Sequence, residues 1–285
     1  MSLSFRFGTV GSPISTPKKP GGSVGAILRL RELGLGALEL GWVRSVRVTE
    51  KTCAEIRAAA EEQDVALSVH APYYINLNAN EDEWPKSRQR LMDAAHFGYL
   101  AGATGIIFHP GSYFGKEPAE VLPLAIKRLQ DCLAELRGND NPVVLRPETM
   151  GKGAMLGSLE DTLAMSRAIP GVLPCLDFAH LHARTGDGSM NTYGEWQAVL
   201  AQYREALGAA SLKDLHIHLS GIAYTEKGEK EHLPIVDSDF DLDALLRALH
   251  DAGAGGRMVC ESPVLEEDAE VIRQRWLVIS GEQVA

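Results

Sequence analysis

The sequence has no CxxC pair, no excess of basic side chains, no long apolar run and no break in composition. Its four cysteines, Cys53, Cys132, Cys175 and Cys260, are scattered, and three fall in apolar helix or strand contexts. They read as reduced, packed thiols, not a disulfide framework. Lys and Arg number 28 against 38 Asp and Glu, a net charge of −10. That balance argues against a broadly basic nucleic-acid surface, although bound divalent cations would offset the carboxylates that hold them. No apolar stretch approaches the ~20 residues of a membrane span, and the first residues lack a signal-peptide pattern. The expectation is a cytoplasmic protein with no membrane partner. With 45% hydrophobic and 23% charged residues and no linker, the 285 residues read as one domain over 1–285 with a sizeable core.

What is present is a repeating alternation. Short apolar runs at Phe5–Gly8, Ala37–Leu40, Val65–Val69, Gly105–Phe108, Val143–Leu145, Val172–Leu176, Leu215–Leu219 and Met258–Cys260 read as strands. Between them lie stretches of helical spacing, at 25–33, from Thr49, at about 84–101, 118–136, after Ser158, at 195–207, 241–252 and 266–279. Thr49 is placed to cap the second helix, and Ser158 with Asp161 forms a capping-box pattern for the fifth. Eight strict βα units imply a parallel sheet closed into a single (β/α)8 barrel, whose active site belongs at the C-terminal rim of the strands.

The strand ends carry His70, His109, Glu148, Asp177 with His180, His218 and Glu261. Imidazoles mixed with carboxylates are the donor set of Zn²⁺, Mn²⁺ or Fe²⁺, and no thiolate is expected among them. Burying so many ionisable groups together without a metal would cost several kcal/mol each. Glu148 stands out, because it ends the fifth strand and is followed at once by Gly151 and Gly153. His182 reads as a supporting or loop residue, and His216, two residues deeper on its strand, as structural. His96 and His250 fall in helices and read as surface or packing residues. His232, in GEKEHLP, falls on an expected loop beside Glu229 and Glu231 and could close over a metal.

The motifs VHAPYYINL, FHPGS, ETMGKG, LDFAH, HLS and ESP, from about His70 to Pro263, resemble in content and order the endonuclease IV family of apurinic/apyrimidinic endonucleases, part of the xylose-isomerase-like barrel superfamily. The resemblance implies a zinc enzyme with two or three ions per chain, Mn²⁺ or Fe²⁺ being alternatives. It would cut DNA 5′ to an abasic site as a monomer, in base excision repair. By this likeness His70, His109 and Glu148 hold a first ion, and Glu148 bridges to a second held by Asp177, His218 and Glu261. His180 and His232 hold a third, and Glu148 is the catalytic residue. Tyr73 matches a tyrosine near the lesion pocket. In the second-strand loop, LGWVRSVRV, Trp42, Arg44 and Arg47 are the candidates to face DNA, Arg44 foremost. The chain departs from the family at Lys230, where an acid two residues before His232 is expected; Glu229 or Glu231 would replace it. Strand seven ends His-Leu-Ser-Gly where the family has His-Leu-Asn-Asp, which marks a diverged branch. Sugar isomerases and epimerases on the same barrel share a smaller set, Glu148, Asp177, His218 and Glu261 around one divalent ion, and form the alternative.

Overall fold

Parallel strands buried on both faces form where short apolar runs are covered by helices, and the chain supplies eight such runs. The computed structural model describes residues 4–283. Its barrel strands are β1 (Phe5–Val10), β2 (Ala37–Gly41), β3 (Ala66–His70), β4 (Gly105–Phe108), β5 (Val144–Pro147), β6 (Cys175–Asp177), β7 (Leu215–Leu219) and β8 (Gly256–Cys260). They pair in parallel in the order β5-β4-β3-β2-β1-β8-β7-β6. The parallel bridges Leu145↔Val172 and Glu148↔Cys175 join β5 to β6 and close the barrel.

Outside lie α1 (Gly22–Glu32), α2 (Glu50–Gln63), α3 (Trp84–Leu100), α4 (Pro118–Gly138), α5 (Leu159–Ala168), α7 (Tyr193–Leu207), α8 (Leu242–Asp251) and α9 (Glu266–Ser280). The capping expectations hold: the Thr49 hydroxyl accepts from the Thr52 amide, and Ser158 and Asp161 form a reciprocal capping box. The last helix seals the first strand, with Trp276 packed edge-on against Phe5 at a centroid distance of 4.9 Å.

Two features depart from the plain alternation. A short helix, α6 (Phe178–Arg184), follows β6 with no intervening loop. The segment after β7 is an antiparallel hairpin, Gly221–Thr225 against Gly228–Leu233. His232 therefore sits on a strand and not on the expected loop, because the segment satisfies its backbone by pairing with itself over the barrel mouth.

Candidate metal centre

The rim residues converge. His70 Nε2 lies 3.1 Å and His109 Nε2 3.4 Å from Glu148 Oε2, while His218 Nδ1 lies 3.6 Å from Glu148 Oε1. Five groups bring their donor atoms within 4.8 Å of one another, and three consist only of the expected rim residues: His70, His109 and Glu148; Glu148, Asp177, His218 and Glu261; Asp177, His180 and His232. The other two are Glu39, His70 and His218, and Cys175, His216 and His218. Glu148 joins the first group to the second, and Asp177 joins the second to the third. The cluster is graded in depth. Glu148, Asp177 and His218 are fully buried, whereas His109, His232 and Glu229 border a cavity of about 350 Å³ that also touches Tyr73 and Glu261.

Local structure fixes several donors before any ion arrives. Asp177 ends β6 and caps α6: one carboxylate oxygen accepts from the His180 amide at 2.6 Å. Its other oxygen, Oδ2, is thereby left facing the cluster. The same cap sets His180 one turn on, with Nδ1 held by the Thr149 carbonyl at 2.9 Å and Nε2 3.2 Å from His232 Nε2. Thr149 also bonds across to β6, its hydroxyl donating to the Asp177 carbonyl and accepting from the Asp177 amide.

The hairpin decides which acid stands beside the third group. Its register pairs Ile222 with His232, Ala223 with Glu231, and Tyr224 with Glu229, with a shift between Ala223 and Tyr224. Lys230 is thus the extra residue of a bulge, and the bulge turns Glu229 and His232 to the same face. Glu229 Oε2 lies 3.7 Å from His180 Nε2, whereas Glu231 is exposed and pairs with Lys230 at 2.9 Å. Of the two expected replacements, Glu229 is the one that reaches the site. Gly151 makes this approach feasible, since a Cβ there would meet Glu229 Cβ at 2.6 Å.

Electrostatics match a cation site. Burial alone would raise the Glu148 carboxyl, but His109, His180 and His218 hold it well below the carboxylate range. Burial pushes Asp177 up to about 6. Burial would lower His70, yet its bond to Glu148 carries it to about 9. His180 and His218 are likewise raised, against burial, by the surrounding acids. Glu148 Oε1, Asp177 Oδ2 and His218 Nδ1 are buried with no hydrogen-bond partner among the described residues. Each such orphan costs about 1–3 kcal/mol, and a coordinated cation would satisfy all three.

Other expected residues fall at varied distances from the centre. Tyr73 is about half exposed and stacks on the His109 ring at 4.9 Å. Arg44 and Arg47 are exposed beyond β2, and Trp42 is half-buried against the core. His182 links the Met190 carbonyl to Asp239 and so ties α6 to the hairpin through Tyr224. Sequence reasoning placed no thiolate nearby, yet Cys175 lies with His216 and His218 just beneath the cluster. Burial raises its thiol, which keeps it protonated at neutral pH. Glu39 was missed altogether. It is fully buried on β2, with Oε2 accepting from His216 Nε2 and Ser68 Oγ, each at 2.8 Å. Its one sequence signal is a carboxylate in the middle of an apolar strand.

A family model for the xylose isomerase-like TIM barrel matches residues 27–277. An uncharacterized protein of Methanocaldococcus jannaschii is 40% identical over 268 residues, 93% of this chain and 94% of that one. Endonuclease 4 of Thermus thermophilus is 31% identical over 203 residues, 69% of this chain and 71% of its own. Among solved structures, endonuclease IV from Thermus thermophilus aligns with a TM-score of 0.70 at 22% identity, over 96% of this chain and 100% of that one. A D-tagatose 3-epimerase-like protein aligns with a TM-score of 0.70 at 18% identity, over 97% and 100%. At such identities the structural likenesses speak to the fold alone.

Proposed function

This chain belongs to the xylose isomerase-like TIM barrel family and, within it, to the endonuclease IV family as a diverged branch, and from that premise we propose that it is a metal-dependent phosphodiester hydrolase that cuts DNA 5′ to an abasic site. The observation that carries the reading is the joining of three ligand groups through Glu148 and Asp177. A single ion uses the four donors of the second group and leaves His70, His109, His180 and His232 without a task.

Charge favours the same reading. Five carboxylates, Glu39, Glu148, Asp177, Glu229 and Glu261, surround the centre. One divalent ion leaves that ensemble net negative and repels phosphate. Three make it net positive and attract it. The overall charge of −10 is then no obstacle at the site itself. Tyr73 also lines a wider groove of about 910 Å³, whose walls carry the rings of Tyr74 and Phe114 and the balanced charges of Arg90, Lys116, Glu81 and Glu83. Exposed rings suit stacking of bases that flank the scissile bond.

Zinc ions held by these groups would supply Lewis acidity toward the phosphoryl oxygens and neutralise charge at the leaving oxygen. Glu148 orients the attacking water, whose oxygen bonds to phosphorus as the bond to the 3′-oxygen breaks. The products are a 3′-hydroxyl and a 5′-phosphate on the abasic sugar. Tyr73 covers His109 and limits bulk water, and Arg44 meets the backbone from the rim. An abasic nucleotide is cheap to extrude, which gives selectivity without base contacts.

The test is incubation with a duplex carrying one stable abasic analogue, with and without chelator, beside a count of metals per chain. The expected result is a chelator-sensitive nick immediately 5′ to the lesion, two or three ions per chain, and no nick with a folded Glu148→Gln variant. One ion per chain and an uncut duplex would favour the sugar isomerase or epimerase reading, for which the second ligand group is complete on its own. There the ion holds two substrate oxygens while carboxylates move a proton.

A further inference from the structure

Four histidines of the centre are held from behind, and one of the four is held differently from the other three. For His70, His180 and His232 the holder is a backbone carbonyl: Nδ1 lies 3.0 Å from the Ala71 oxygen, 2.9 Å from that of Thr149 and 3.2 Å from that of Glu261. A carbonyl oxygen can only accept, which assigns the hydrogen to Nδ1 and turns Nε2 to the cluster, although His180 Nδ1 also lies 3.2 Å from Glu148 Oε1 and 3.5 Å from Asp177 Oδ2. His218 is turned the other way. Its Nδ1 faces Glu148 Oε1 at 3.6 Å and Glu261 Oε1 at 3.5 Å, and its Nε2 faces Glu39 Oε1 at 3.0 Å.

His218 Nε2 and Glu39 Oε1 lie 3.0 Å apart, and neither has a hydrogen-bond partner elsewhere or a well-aligned bond to the other among the described residues. The opposite oxygen of Glu39 is pinned by Ser68 and His216. A fully buried carboxylate is costly to keep unless each oxygen has a partner. His216 and Ser68 occupy one oxygen, and His218 is the group that faces the other. Barrel closure produces the arrangement: β7 brings His216 and His218 inward, and β2 and β3 bring Glu39 and Ser68 across from them.

We propose that Glu39 is a positioning residue that fixes His218 as the Nε2–H tautomer and so reserves the Nδ1 lone pair for the cation shared with Glu148, Asp177 and Glu261. A carboxylate behind a ligating imidazole orients the ring and raises its basicity. Here Ser68 and His216 fix the carboxylate in turn. The inference rests on the metal-centre reading and is indifferent to whether the substrate is DNA or a sugar.

Glu39→Gln tests it with almost no change of volume. An amide offers one acceptor and one donor in place of two acceptors, so it cannot receive a hydrogen from both His216 and His218. Protein reconstituted with Co²⁺ is titrated for affinity and stoichiometry and its visible absorption recorded, and the histidine ¹⁵N spectrum of the zinc-loaded protein reports the tautomer. The expected variant is folded by circular dichroism, binds one cation 10–100-fold more weakly and loses that cation's share of the absorption. Ser68→Ala, which leaves Glu39 Oε1 in place, stays within a few-fold of the parent. Unchanged Co²⁺ affinity and absorption in Glu39→Gln would overturn the inference. So would an Nδ1–H tautomer at His218 in the unaltered protein, a measurement that needs no variant to fold. Protein that takes up no Co²⁺ at all would sink the metal-centre reading itself, and the inference with it.

Discussion

His70 shows how the centre is poised before loading. Its folded pKa of about 9 lies above the ordinary histidine value of 6.5, because Glu148 accepts from it at 3.1 Å. A raised imidazole contributes stability that is complete below pH 6.5 and is lost as pH rises through about 9. Before a cation binds, then, the ring is protonated at neutral pH and the His70–Glu148 pair stands in for the ion. Loading must expel that proton. Cation affinity at the proposed centre is therefore expected to rise with pH until about 9, with proton release visible as a dependence of binding heat on buffer ionisation enthalpy. Binding heats at pH 7 that are the same in every buffer would remove this account. At the same scale, Glu148 was legible in the sequence because it ends an apolar run. Glu39 was not, because a mid-strand acid looks the same whether it faces solvent or the barrel axis.

Among elements, the hairpin after β7 is the one that varies the site. Its bulge at Lys230 puts Glu229 where the expected acid is missing, and its turn runs close under the loop after β5. Gly228 has φ +93°, and a Cβ there would lie 2.3 Å from the Gly151 carbonyl oxygen. Gly228→Ala is expected to strain the hairpin by about 1–3 kcal/mol and to lift Glu229 and His232 away from His180. The number of ions bound per chain should fall by one while the barrel stays folded. Metal analysis with hydrogen exchange over 221–233 measures both, and an unchanged ion count would separate the hairpin from the third group. The short helix α6 belongs to the same lesson. Its N-cap, Asp177, is also the last residue of β6, so no loop signal announces the helix, and Asp177 with His180 reads as a strand end.

For the whole molecule, ions held by the proposed centre would bind a cluster that the unfolded chain lacks, and so would stabilise the barrel by mass action. At an ion concentration a thousandfold above the dissociation constant this amounts to about 4 kcal/mol. A chelator is expected to lower the melting temperature by several degrees, as read by calorimetry. An unchanged transition would mean that the buried carboxylates are satisfied without cations. Among the described residues no helix is long and apolar enough to cross a membrane, and the core is the barrel and its helical sheath. The sequence by itself determined the barrel, through eight apolar runs alternating with helical spacing, and it determined which donor types stand at the strand ends, because strand ends share one rim. Only the tertiary structure decided which ring nitrogen each histidine presents, that Glu229 and not Glu231 approaches His180, and that Glu39 stands behind His218. Those choices depend on atoms brought together by closure, such as Glu39 and His216, which lie 177 residues apart in the chain. Local spacing carries no record of such distances, since it is the strand register around the ring that sets them.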